Sequence, residues 1–104
     1  MYDFHTDKKR YFQIQFENAE EYVIPFIEKT FVIKKGARVL EIGCGEGGVL
    51  SAFIKKDCIG VGVELHESRL QLANELLKTE IEEKKISFIA VSYTHLTLPT
   101  NREV

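Results

Sequence analysis

The spacing of apolar side chains changes near residue 37 and predicts different structure on either side of it. Before that point, apolar residues recur at helical intervals among charged ones, which predicts amphipathic helices over about 7–17 and 19–30. Asn18 and Glu21 have the spacing of a capping box, so we expect the second helix to begin after Asn18. Pro25 lacks a backbone donor, so we expect a kink or a late start there. The predicted buried faces are Tyr11, Phe12, Ile14 and Phe16 of the first helix and Tyr22, Val23, Phe26 and Ile27 of the second.

After residue 37, apolar runs of strand length alternate with helical patterns. The runs 39–42, 58–63 and 86–90 predict strands. Between them, 49–56 and 67–78 predict helices, and this order is the β-α-β-α-β half of an α/β, Rossmann-like parallel sheet. We therefore expect such a sheet, preceded by the N-terminal helices and truncated after about three strands. Because the strands are continuously apolar, we expect the sheet to be covered on both faces. The apolar stripe of the helix at 67–78 consists of Leu70, Ala73, Leu76 and Leu77.

The composition limits the chain to one small globular unit. Its 104 residues are 44% hydrophobic and carry a net charge of −2, which gives no support for a nucleic-acid partner. Two cysteines in a chain without a secretion signal do not make a disulfide framework, and no apolar run approaches the length of a membrane span. We expect a cytoplasmic protein with reduced thiols, and the sequence indicates no oligomeric state.

Chemistry is concentrated in the glycine-rich segment 43–48, which follows the first strand and precedes a helix. Gly43 and Gly45 have no side chain to block a ligand, and both can adopt positive φ angles. Glu64 follows the second strand, 21 residues beyond Gly43, close to the spacing expected for an acid that binds a ribose. A carboxylate there can accept hydrogen bonds from both ribose hydroxyls. We therefore predict a site for a cofactor that contains a ribose.

The charges near these glycines distinguish between cofactors. Glu41 and Glu46 flank the glycines, and no Lys or Arg occurs in 39–54. Acids are unfavourable beside the pyrophosphate of a dinucleotide, whereas the sulfonium and ammonium groups of S-adenosylmethionine tolerate or prefer them. An NAD(P)-dependent Rossmann oxidoreductase fragment stays open as an alternative, as does a non-catalytic Rossmann-like interaction module.

The segment Val-Leu-Glu-Ile-Gly-Cys-Gly-Glu-Gly at 39–47 resembles the first motif of class I S-adenosylmethionine-dependent methyltransferases. Gly-Val-Glu at 62–64 resembles the acid of their second strand, and the resemblance extends over about residues 19 to 90. It implies methyl transfer from S-adenosyl-L-methionine to an unidentified acceptor. It also implies that Glu41, Gly43 and Gly45 line the pocket for the methionine part, that Glu64 holds the ribose, and that Leu65 lies against the adenine. The predicted cofactor-binding set is Glu41, Ile42, Gly43, Cys44, Gly45, Gly47, Glu64 and Leu65.

No residue of the chain can be assigned a catalytic role. Cys44 lies between two glycines but has no identifiable base partner, so we interpret it as a small packed side chain rather than a nucleophile. His66 is interpreted as a solvated loop residue, because no metal-ligand spacing joins it to His5, Cys44 or Cys58. We predict no metal site.

The last fourteen residues differ in character from the rest of the chain. The segment Val-Ser-Tyr-Thr-His-Leu-Thr-Leu-Pro-Thr at 91–100 resembles the translated mosaic-end adapter of transposase-based sequencing libraries. We therefore expect 1–90 to be a partial methyltransferase domain and 91–104 to be a non-native tail. On this interpretation the native sequence after about Ala90 is different, and the 104-residue chain itself has no turnover and weak or no cofactor binding.

Overall fold

The computed structural model describes residues 4–92, and residues 1–3 and 93–104 lie outside the described residues, together with most of the predicted tail. Helices precede a β-α-β-α-β unit, as the pattern predicted. A π-helical turn, Ala19–Val23, joins the first two helices. The helices are α1 (Phe4–Asn18), α2 (Ile24–Glu28), α3 (Gly48–Lys55), α4 (Glu67–Leu76) and α5 (Lys78–Glu82), and the strands are β1 (Arg38–Ile42), β2 (Ile59–Glu64) and β3 (Ile86–Ala90).

The strands form one parallel sheet in the order β1-β2-β3. In the register Leu40 pairs with Val61, and Val61 pairs with Ser87. Because the strands are parallel and neighbouring, β1 and β2 end at the same edge, next to the glycine segment and Glu64. The predicted Rossmann-like α/β fold is confirmed, and each strand boundary differs from its predicted position by at most one residue.

The main core lies between one face of the sheet and the helices α3, α4 and α5. Leu50 and Ile54 of α3 meet Leu70, Leu77 and other apolar side chains across the face of β2 and β3. Each such side chain contributes about 1.5–3 kcal/mol through burial. Gly60 of β2 lets α3 approach the sheet closely, because a Cβ at this position would lie 3.2 Å from Leu50 Cδ2.

The capping-box prediction at Asn18 is wrong. Asn18 has helical φ and ψ angles and makes no side-chain capping hydrogen bond, so the helix continues through it. The chain then widens into the π-helical turn, in which the Ile24 N–H donates to Ala19 O, five residues earlier. Pro25 follows this turn in the first turn of α2, where its missing donor is tolerated. The α-helix therefore starts late, at Ile24, as Pro25 predicted, and a π-turn that was not predicted precedes it.

The predicted buried face of the second helix is also largely wrong. Tyr22, Val23 and Phe26 are exposed, whereas Ala19 and Ile24 are buried in a second cluster with Ala52, Phe53 and Cys58, against which Ile27 packs. The cause is the π-turn, which adds a residue to one helical turn and rotates the following positions away from the spacing of an α-helix. On α1, Phe12 and Phe16 are partly buried, but Tyr11 and Ile14 are exposed.

The opposite face of the sheet is not covered by the described residues. Leu40 and Ile42 of β1 are 63% and 69% exposed, and Ile59 and Ile89 are also exposed on this face. The expectation of two covered faces is therefore not met within residues 4–92. Within the same residues, every helix is too short or too polar to cross a bilayer.

Candidate functional site

The segment after β1, residues 43–47, forms a loop across the end of β2 and is named here the glycine loop. The N–H groups of Gly43 and Cys44 both donate to Val63 O, at 2.7 and 3.1 Å. These hydrogen bonds join the start of the loop to the end of β2. Gly43 and Gly45 have φ angles of +74° and +58°, in the left-handed region that favours glycine. The predicted strand–glycine–helix geometry is therefore present.

The glycines of this loop face different surroundings. A Cβ at Gly43 would meet no atom of the described residues within 4 Å, so the backbone there borders space that a ligand can occupy. A Cβ at Gly47 would lie 2.9 Å from Leu77 Cδ1 and 3.0 Å from Phe88 Cζ, so Gly47 faces the core. The structure thus brings Gly43 to the open side of the loop and does not bring Gly47 there.

Glu64, at the end of β2, is joined to the glycine loop by its side chain. Its Oε1 accepts the Gly45 N–H at 2.7 Å, and its Oε2 accepts the N–H groups of Leu65 and His66 at 2.9 Å each. The residue is only 5% exposed, and its burial acts to raise its pKa. The backbone hydrogen bonds outweigh that effect and hold the pKa of Glu64 below its ordinary value, so the group is an ionised acceptor near neutral pH.

Glu41 lies on the neighbouring strand and is in the opposite electrostatic situation. Its half-buried carboxyl group accepts no hydrogen bond at Oε1 from the described residues. Burial, followed by the negative charge of Glu64, raises the pKa of Glu41 from 4.5 to about 7. Such a carboxyl group becomes ionised more readily when a cation lies beside it.

Cys44 is a packed thiol within the glycine loop. Its Sγ would lie 2.6 Å from a Cβ at Gly62, so glycine at that position makes room for the sulfur. Burial, followed by the charges of Glu41 and Glu64, raises the pKa of Cys44 to about 12. The thiol therefore stays protonated and is a poor nucleophile.

The remaining predicted site residues differ in position. Leu65 is partly buried beside Glu64, whereas Ile42 points to the uncovered face of the sheet. His66 is mostly exposed, with its Nδ1 3.8 Å from Glu64 Oε2. Across residues 4–92, no group of three or more His, Cys, Asp or Glu side chains is arranged to hold a metal ion.

Two charged residues have positions that the sequence did not indicate. Glu46 was expected beside the ligand, but its side chain is fully buried and turned inward. Its Oε2 lies 3.8 Å from Nε of Arg69, in the first turn of α4. Nη1 of Arg69 also lies 3.9 Å from the position of a Cβ at Gly45. The sequence does contain one indication of the position of Arg69, which is its short distance from Glu64. A helix that begins just after Glu64 brings its first turn towards the glycine loop.

Comparison with known proteins places this geometry in a family. The family model described as methionine biosynthesis protein MetW matches residues 25–81, more than half of the chain. The chain is also 30% identical over 70 residues to sterol 24-C-methyltransferase erg6 of Aspergillus fumigatus. That match covers 66% of this chain and only 19% of the sterol methyltransferase.

Solved structures agree on the fold. A protein of Methanococcus maripaludis described as an S-adenosylmethionine-dependent methyltransferase superposes with a TM-score of 0.63 at 15% identity, over 88% of this chain and 44% of that one. Phosphoethanolamine N-methyltransferase 2 of Haemonchus contortus, solved with S-adenosyl-L-methionine, superposes with a TM-score of 0.54 at 24% identity, over 62% of this chain and 15% of that one. The chain is therefore a member of the family described as methionine biosynthesis protein MetW and of the class I S-adenosylmethionine-dependent methyltransferases that its glycine motif resembles.

Proposed function

We propose that the full-length protein to which this chain belongs transfers a methyl group from S-adenosyl-L-methionine, and that the glycine loop and Glu64 hold this cofactor. The observation that carries the proposal is the contact between the ionised Glu64 carboxylate and the Gly45 N–H, beside the open space at Gly43. An acceptor for ribose hydroxyls and a bare stretch of backbone lie next to each other at the carboxyl edge of a parallel sheet, where such folds bind their ligands.

The hydrogen bonds of Glu64 refine how it would hold the ribose. A carboxylate offers about four lone-pair sites, and three backbone N–H groups already donate to Glu64. The remaining acceptor site is on Oε1, the oxygen that faces the glycine loop. One ribose hydroxyl therefore binds there directly, and a second requires the Gly45 N–H to give way. Leu65, beside this carboxylate, offers an apolar surface to the adenine.

Glu41 supports a cationic ligand in this position. Its buried oxygen has no hydrogen-bond donor among the described residues, and a positive charge nearby would stabilise its ionised form. S-adenosylmethionine supplies an activated methyl group on a positively charged sulfur, while the residues of this chain bind and orient the donor. The pyrophosphate of a nicotinamide dinucleotide, which would lie near the glycines, would instead meet the carboxyl group of Glu41. The acceptor of the methyl group is not indicated.

Calorimetric titration of the full-length protein with S-adenosylhomocysteine and with NADH tests the cofactor. We expect S-adenosylhomocysteine to bind and NADH not to bind. Glu64→Ala should weaken S-adenosylhomocysteine binding by roughly 10- to 150-fold, because it removes a hydrogen bond to a charged group. Glu67→Ala is the matched control, since it removes an exposed carboxylate three residues away and should leave the affinity unchanged.

The outcomes of this titration are distinct. Binding of NADH alone would replace the proposal with an oxidoreductase. Unchanged affinity in Glu64→Ala would remove the central role of that residue. A labelled-methyl assay with a cell extract then distinguishes an enzyme from an interaction module, because a module binds the cofactor without transferring the label.

A further inference from the structure

The side chain of Glu46 is sealed inside the protein, although it belongs to the glycine loop. It is 0% exposed, and neither carboxylate oxygen has a hydrogen-bond partner within residues 4–92. A buried carboxylate without a neighbouring cation is strongly unfavourable. A positive charge close to Glu46 is therefore needed to stabilise its carboxylate in this position.

Among the described residues, the guanidinium group of Arg69 forms an ion pair with this carboxylate. Its Nε lies 3.8 Å from Glu46 Oε2, and its Nη1 lies beside Gly45. The side chain of Arg69 is 44% exposed and lines a cavity of about 180 Å³ between α1 and α4. One cation thus lies close both to the acid of the glycine loop and to Gly45.

The two ends of this ion pair belong to the two segments that would grip the adenosine. Glu46 follows Gly45, whose N–H holds Glu64 Oε1. Arg69 lies in the first turn of α4, which begins three residues after Glu64. The pair therefore closes a ring: glycine loop, Glu64, the turn into α4, Arg69, and back to the loop through Glu46.

We propose that the Glu46–Arg69 pair is a latch that holds the glycine loop against the start of α4 and so positions Glu64 for the ribose. Arg69 is then a positioning residue, which acts on the cofactor through Glu64. The proposal rests on the proposed function, because it assumes that Glu64 binds the adenosine part of the cofactor. A pair that served stability alone would contribute to the unfolding free energy and leave the orientation of Glu64 unaffected.

The test measures Kd in the full-length protein for S-adenosylhomocysteine and for 5′-methylthioadenosine, which lacks the amino-acid end. Arg69→Gln should weaken both ligands by the same factor, roughly tenfold, because the latch acts at the adenosine end. In a Glu64→Ala background, Arg69→Gln should cause no further loss. Arg69→Lys keeps the positive charge but not the planar guanidinium group. Its Kd values should lie between those of Arg69→Gln and those of the wild type.

Two further variants separate an effect on cofactor binding from an effect on folding. Glu46→Gln combined with Arg69→Gln removes both charges, leaves no buried charge unpaired, and should weaken binding as much as Arg69→Gln alone. Lys85→Gln is the matched control, since it breaks an exposed ion pair with Glu83 at the opposite edge of the sheet and should leave both Kd values unchanged.

Either of two results would overturn the latch. One is an Arg69→Gln protein that binds S-adenosylhomocysteine within about twofold of the wild type. The other is an equal loss in the presence and absence of Glu64, which would mean that Arg69 acts independently of it. Failure of the proposed function looks different, because the wild-type protein itself would then not bind S-adenosylhomocysteine.

Discussion

The folded protein disfavours the ionised form of Glu41, whereas the positive charge of the proposed cofactor would favour it. In the folded protein the pKa of Glu41 is raised from 4.5 to about 7, first by burial and then by Glu64. The folded state therefore binds the proton more tightly than the unfolded state. Its contribution to stability is fully present below about pH 4.5 and is lost as the pH rises through about 7.

Replacing Glu41 with Gln should remove this pH dependence. Thermal unfolding at about pH 5 and about pH 8 should show a smaller loss of Tm for Glu41→Gln than for the wild type, with the variant more stable at the higher pH. In the full-length protein, the affinity of the wild type for S-adenosylmethionine should rise through this range, since ionised Glu41 attracts the sulfonium. The variant should bind more weakly at high pH and with a flatter profile. Glu67→Gln, which changes an exposed carboxyl group, is the control, and a wild-type pH profile in Glu41→Gln would contradict the assignment.

Gly43 and Gly47 should respond differently to alanine, although both have positive φ angles, +74° and +88°. Gly43→Ala places a methyl group in open space and should cost about 1–2 kcal/mol of unfolding free energy from backbone strain. Gly47→Ala adds a clash with Leu77 and Phe88, so its total cost should be about 2–5 kcal/mol. Urea denaturation measures both values. Gly43→Ala should also reduce cofactor affinity by more than its loss of stability explains. Equal losses of unfolding free energy in the two variants would contradict the assignment of Gly43 to open space and Gly47 to the core.

At the scale of elements, the sequence predicted the β-α-β-α-β unit and the presence of the N-terminal helices, but not the faces that these helices bury. The strands and α3 are short apolar segments bounded by glycine or polar residues, so local pattern determines their positions. The helix predicted over 67–78 divides at Leu77, which leaves the helical region, with φ −116° and ψ 27°. The face of α2 depends on the π-turn at Ala19–Val23, and that turn depends on packing against α3, which sequence spacing does not describe.

The candidate site shows the same division between local and distant information. The contact between Gly45 and Glu64 follows from a motif and a spacing, because Gly45 lies in the loop after β1 and Glu64 ends the neighbouring parallel strand β2. The pairing of Glu46 with Arg69 joins the glycine loop to a helix on the far side of β2, and Arg69 lies outside the two motifs that the sequence shows. The inward orientation of Glu46 also changes the electrostatic argument from sequence: the acids that would face a ligand are Glu41 and Glu64, and the nearby cation is Arg69.

At the scale of the whole molecule, helices cover one face of the sheet, and within residues 4–92 an apolar surface is left on the other. Leu40 and Ile42 are 63% and 69% exposed, and Ile89, in register with Ile42 through Val63, is 50% exposed. Contiguous apolar surface of this kind is uncommon on a soluble monomer and promotes association. Parallel sheets are ordinarily covered on both faces, for the same reason.

The 104-residue chain, prepared alone, should therefore associate or bind an apolar dye through this face. We expect size-exclusion chromatography to show species larger than a monomer, and 8-anilinonaphthalene-1-sulfonate fluorescence to rise on addition of the chain. Leu40→Thr combined with Ile89→Thr should lower both signals, because it replaces apolar side chains on the two outer strands of the exposed face with threonine, a β-branched residue that suits a strand. Val32→Thr is the matched control, since Val32 is equally apolar and exposed but lies outside the sheet, before β1. If the double variant and the control behave alike, association arises elsewhere and the uncovered face of the sheet is not its cause.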